Sequence, residues 1–118
     1  MPTDTVLICG DRNWKNEETI YSLLLELQPK TVVTGGCRGA DERAEKVAKK
    51  LGIKTITYPA NWTDYGKAAG PRRNALMLKV SNPDIVVAFH GDIENSKGTK
   101  HMVKLARAKG VTVKIIPS

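Results

Sequence analysis

Residues Thr31 to Asp41 read Thr-Val-Val-Thr-Gly-Gly-Cys-Arg-Gly-Ala-Asp, a β-branched run that breaks into glycines and continues into an alanine-rich helix. Glycines at 35, 36 and 39 let main-chain N–H groups approach a ligand with no Cβ in the way. At a helix N-terminus those donors lack intrahelical partners and lie at the positive end of the dipole, so the stretch suits an anion, most often phosphate. Arg38 adds a forked, charged donor. A tight strand-to-helix turn with no ligand is the plainer alternative for such a loop. Ser96-Lys-Gly-Thr99 repeats its logic with a glycine, two hydroxyls and a second helix start. Two such termini aimed at one edge would hold a phosphate or a diphosphate.

Arginines can reach the same edge. Arg12 and Arg72 fit either a ligand or solvent, whereas Arg73 is read as standing in the first turn of a helix, where a cation opposes the dipole unless an anion is present. A ligand role is therefore expected for Arg73. Trp62 and Tyr65 could stack on a base, worth about 1–3 kcal/mol where it occurs, or Trp62 could plug the edge of the core. Asp11, Asp41 and Glu42 are the nearest carboxylates, and Asp41 reads as a helix cap rather than a catalyst. Cys9 and Cys37 read as structural thiols. With His90 and His101 they show no zinc-ligand spacing, so neither metal nor cofactor is expected.

The elements that must position these residues alternate. Thr5 to Cys9 is a continuous apolar run, as in a strand covered on both faces. Asn16 caps a helix carrying Ile20, Leu23, Leu24 and Leu27, which Pro29 ends. Strands are expected over about 30–34, 54–58, 84–89 and 111–116. Ala44, Val47, Ala48 and Leu51 form the stripe of the second helix, stopped by Gly52. Residues 59–69 read as a long loop, Pro71 as a helix start with Leu76, Met77 and Val80 on its apolar side, and Thr99 onward as the last helix, bearing Met102, Val103, Leu105 and Ala106. Strand and helix in alternation require a parallel sheet covered on both faces, with ligands at the carboxyl ends of its strands.

The 118 residues suit a single domain over 1–118. With no apolar run of membrane-spanning length and no basic-then-apolar start, a cytoplasmic protein without membrane partners is expected. The net charge of +7 attracts polyanions. Much of the excess falls between apolar positions of two helices, as on ordinary solvated faces, so it supports nucleic-acid binding only weakly.

Four motifs stand in register: Gly10-Asp-Arg12-Asn-Trp14, Thr34-Gly-Gly-Cys-Arg-Gly-Ala-Asp41, Ala69-Gly-Pro-Arg-Arg73-Asn74 and Ser96-Lys-Gly-Thr99. Together they resemble the SLOG superfamily, the Rossmann-like group that includes the LOG phosphoribohydrolases and DprA, and most of all its small stand-alone members related to YspA in bacteria and phages. The resemblance implies an α/β fold, a three-layer α/β/α sandwich around a five-stranded parallel sheet of order 3-2-1-4-5. It also implies a pocket for a nucleotide or nucleotide-derived ligand. That ligand would rest on Gly10, Arg12, Gly35, Gly36, Arg38, Gly39, Asp41, Arg73, Asn74, Ser96, Gly98 and Thr99, with the phosphates on the N–H groups of Gly35, Gly36, Gly39 and Gly98.

Three functions follow from the resemblance. The first is recognition of a phosphorylated nucleoside derivative, as a sensor would perform it. The second is N-glycosidic cleavage of the LOG type, which needs a carboxylate. The LOG glutamate position holds Met102 here, leaving Asp11, Asp92 or Glu94 as substitutes. The third is DprA-like binding of single-stranded DNA. Leu24, Leu25 and Leu27 suggest apolar surface for a homodimer.

Overall fold

The computed structural model describes residues 3–118. Five strands, β1 (Thr5–Gly10), β2 (Thr31–Thr34), β3 (Lys54–Thr57), β4 (Ile85–Phe89) and β5 (Thr112–Ile116), form one sheet in the order β3-β2-β1-β4-β5. Every neighbouring pair is parallel, with Val6 beside both Val32 and Ile85, and Gly10 beside Phe89. Five helices connect and cover them: α1 (Glu17–Leu27), α2 (Ala40–Lys50), α3 (Trp62–Tyr65), α4 (Ala69–Ser81) and α5 (Gly98–Ala108). This is the Rossmann-like three-layer fold expected from the alternation of elements.

The period-2 geometry of β1 divides its apolar run between two cores. Val6 and Ile8 face α1 and α2, packing with Ile20, Leu24, Ala44, Val47 and Phe89. Leu7 and Cys9 face α4 and α5, packing with Met77, Leu78, Met102, Val103 and Ala106. Burial on both faces makes β1 the centre of the molecule. It is also where the strand order reverses, so the loops after β1 and β4 splay apart at their carboxyl ends.

Helix boundaries follow local chemistry. The Asn16 side chain accepts from the Thr19 N–H at 3.3 Å, and Gln28 leaves α1 in a left-handed conformation (φ 46°) before Pro29. Three expectations change. The stretch 59–69 is not a plain loop: it folds into α3, capped by the Asn61 side chain on the Asp64 N–H at 3.0 Å, and a 3-10 turn at Gly66–Ala68. Helix α4 begins at Ala69, two residues before Pro71, which lies in the first turn where its missing donor costs nothing. The buried face of α4 is Asn74, Met77 and Leu78, at i, i+3 and i+4. Leu76 and Val80 are exposed, because a buried asparagine sets the phase that an apolar pattern alone misassigns. No helix among the described residues is long and apolar enough to cross a membrane.

Candidate functional site

The glycine loop between β2 and α2 does bind an anion, and the anion is its own. Asp41, in the first turn of α2, is buried, and one of its carboxylate oxygens accepts from the N–H groups of Gly35 at 3.1 Å and Cys37 at 3.2 Å. Asp41 is therefore not the helix cap: Gly39 holds that position. The Gly36 N–H donates to the Thr34 hydroxyl at 3.1 Å. Two of the loop donors expected to hold phosphate, on Gly35 and Gly36, are thus already engaged. Burial pushes the Asp41 carboxyl up to about 6, opposed by the Cys37 N–H, the Arg73 charge and the Gly35 N–H. Below it, burial, followed by the Asp41 charge, raises the Cys9 thiol well above its ordinary range.

The loop after β1 is stapled to the same turn. The Ala40 and Trp14 N–H groups donate to the Asp11 carbonyl at 3.0 and 3.1 Å, and the Asn13 N–H donates to the Asp11 carboxylate at 2.9 Å. Gly39, at φ +83°, has room only for a hydrogen where its Cα faces the backbone of Asp11 and Arg12. Gly10 meets the Phe89 carbonyl and Ala40 in the same way. Both glycines serve this close packing. Trp14 fixes the base of the loop, its ring against Phe89 at 5.4 Å and its indole N–H on the Asn16 carbonyl at 2.9 Å.

Arg73 lies in the second turn of α4, not the first, and its guanidinium is a brace. It donates to the carbonyls of Gly35 at 2.8 Å and Tyr58 at 3.3 Å and, through Nε, to the Asn74 side-chain oxygen at 3.0 Å. The buried Asn74 amide nitrogen reaches the Gly98 carbonyl at 3.3 Å and the His101 ring at 3.2 Å. A continuous polar beam therefore runs from the ends of β2 and β3 across α4 to the start of α5. Sequence reading missed Glu45, which locks the other side: one of its oxygens accepts from the hydroxyls of Thr34 and Thr57, each at 2.6 Å. Threonines ending two adjacent strands were the available signal.

Two open cavities lie along this edge. One, of about 420 Å³, is lined by Arg12, Gly35, Gly36, Cys37, Arg38, Pro59, Ala60, Trp62 and Arg73. The second, of about 410 Å³, is lined by Arg12, Asn13, Trp14, Lys15, Glu17, Arg38, Gly39, Glu42, Arg43 and Lys46. Trp62 is 52% exposed, so it does not plug the core. Tyr65 lines neither cavity, and Arg72 lies over its ring at 4.4 Å. Ser96, Gly98 and Thr99 line neither cavity: the Ser96 hydroxyl caps the Thr99 N–H at 3.1 Å. The second glycine turn is coupled to the first through the Asn74 beam and shares no cavity with it.

The sequence profile of the YspA, cpYpsA-related SLOG family matches residues 5–65. The Gene 61 protein of Mycobacterium phage D29 is 32% identical, the alignment covering 92% of each chain. Among solved structures, DNA processing protein A (DprA) from Streptococcus pneumoniae superimposes with a TM-score of 0.72 at 21% identity, over 98% of this chain and 50% of that one. A putative UDP-N-acetylglucosamine 2-epimerase from Listeria monocytogenes gives a TM-score of 0.52 at 12% identity, over 98% and 31% of the respective chains. These two structures share the fold, and this chain spans half the length of the first and about a third of the second.

Proposed function

The chain belongs to the YspA, cpYpsA-related SLOG family, and from that premise we propose that it binds a nucleotide or nucleotide-derived ligand in the cavity between Arg12, Arg38 and Trp62. One observation carries the reading: two exposed guanidiniums and a half-exposed indole face one cavity of nucleotide size at the carboxyl edge of a parallel sheet. Arg12 and Arg38 make no ion pair among the described residues, so both are free to grip a phosphate bidentately. The indole supplies a sequence-tolerant platform for a base. Asp41, Arg73 and Asn74 hold the walls.

Binding is favoured over N-glycosidic hydrolysis because the walls of this cavity carry no carboxylate. The three substitutes are engaged elsewhere: Asp11 with the Asn13 N–H, Asp92 with the Asn95 amide, and Glu94 with Lys100. The test uses the protein's two tryptophans. Trp14 is buried and Trp62 exposed, so titration with nucleoside monophosphates should quench tryptophan emission saturably through Trp62. Trp62→Phe should remove most of the signal, and Trp62→Ala should weaken binding by about 1–3 kcal/mol. No saturable binding by calorimetry with any of the common nucleotides ends the proposal.

A further inference from the structure

Apart from Arg12 and Arg38 the second cavity has no part in the reading above, yet it carries five basic side chains against three in the first. Arg12, Lys15, Arg38, Arg43 and Lys46 face it, against the carboxylates Glu17 and Glu42. Glu17 is already held between Arg43 and Lys46, at 3.3 Å from each. Arg43 also donates through Nε to the Trp14 carbonyl at 2.6 Å. This leaves Arg12, Lys15 and Arg38 without an ion pair among the described residues.

Arg12 and Arg38 line both cavities. They meet because Gly39 lies directly against the Arg12 backbone, which joins the β1 loop to the glycine loop. The two cavities are therefore halves of one groove with an arginine ridge between them. A mononucleotide fills one half and leaves the other, where Lys15 makes no ion pair among the described residues and Lys46 shares Glu17 with Arg43.

We propose that the groove recognises two linked nucleotides, with one base on Trp62, the linking phosphate on the Arg12–Arg38 ridge, and the second unit in the cavity bordered by Lys15 and Lys46. This rests on the nucleotide-binding reading of the first cavity and names its ligand class. The linkage is a phosphodiester in a nucleic-acid strand or a diphosphate in a bridged dinucleotide. Both place a charged link between two nucleosides.

The experiment is calorimetric titration of the full chain with AMP, the phosphodiester dinucleotide pApA and the bridged dinucleotide Ap2A, repeated with the corresponding probes for the other bases. For the best-bound base, at least one dinucleotide should bind roughly tenfold or more tightly than its monophosphate. Which of the two gains identifies the linkage. In the double variant Lys15→Ala/Lys46→Ala the gain should vanish while monophosphate affinity stays unchanged. A dinucleotide no tighter than the monophosphate, or a gain that survives the double variant, overturns the proposal and leaves the first cavity standing. If instead Trp62→Ala leaves monophosphate binding unaltered while the gain depends on Lys15 and Lys46, the reading of the first cavity fails and the basic cavity stands. If no probe binds, both fall.

Discussion

At the scale of the residue, Asp41 occupies the place that a glycine loop at a helix start would give to an external anion. Its carboxylate collects the Gly35 and Cys37 N–H groups within the fold, so a phosphate must be held by side chains at the rim instead. Holding a buried charge there has a pH signature. The carboxyl titrates at about 6 in the folded chain against an ordinary 3.8, chiefly through burial. The folded state thus binds the proton more tightly than the unfolded state. Stability contributed by this group is full below about pH 3.8 and lost as pH rises through about 6, a fall of roughly 3 kcal/mol across that window. Glu17, whose pKa is lowered first by its hydrogen bond from Lys46, acts in the opposite sense and only below its ordinary 4.5. Urea unfolding at pH 5 and pH 7.5 should find the wild type more stable at the lower value. Asp41→Asn, which keeps an acceptor for the two N–H groups without an ionisation, should flatten most of that difference. An equal pH dependence in the variant would remove Asp41 as its source.

At the scale of the element, the strands and helices were legible because apolar period and punctuation agree: β1 is apolar from Val6 to Cys9, Asn16 caps α1 and Gly52 follows α2. The phase of α4 was not, since its buried face is set by Asn74, whose value lies in a hydrogen bond to the carbonyl of Gly98 on α5. The candidate site was legible as a set of loops. The division of labour within it was not, because a one-dimensional reading expects Arg73 on the ligand and leaves Arg12 open between ligand and solvent. Likewise Gly39 and Gly98 look alike in sequence, yet a Cβ at Gly39 would strike the Asp11 and Arg12 backbone while one at Gly98 meets nothing within 4 Å. Only the meeting of β2, β3 and α4 assigns Arg73 to the carbonyls of Gly35 and Tyr58. Charged hydrogen bonds of this kind contribute about 1.5–3 kcal/mol each. Arg73→Ala should therefore lower unfolding stability by roughly 2–4 kcal/mol and weaken nucleotide binding as a consequence. Arg12→Ala and Arg38→Ala should each weaken binding with stability held within about 0.5 kcal/mol, as for exposed side chains. Parallel denaturation and calorimetry separate the two patterns. Unchanged stability with lost binding in Arg73→Ala would return that guanidinium to direct contact with the ligand.

At the scale of the whole molecule, two groups of the basic residues behind the net charge of +7 lie on opposite sides of the sheet, with different consequences. On the side of α1 and α2, Arg12, Lys15, Arg38, Arg43 and Lys46 border one cavity. On the opposite side α5 carries Lys100, Lys104 and Arg107 along a solvated helix, with Lys100 paired to Glu94 at 3.1 Å. A protein that binds polyanions by bulk charge would respond equally to the loss of either population. One that binds along a groove responds only to the first. Salt dependence distinguishes them, because each phosphate neutralised on a single strand contributes about −0.7 to the slope of log affinity against log salt concentration. An oligothymidylate held across both cavities, with two or three phosphates engaged, should give a slope of about −1.4 to −2. Lys15→Ala should reduce its magnitude by about 0.7, whereas Lys104→Ala, a change of equal charge on the far side of the sheet, should leave it unaltered. Equal losses from the two variants would make the basicity a diffuse field. The groove would then retain only the ligand that Trp62 and the two arginines hold in the first cavity.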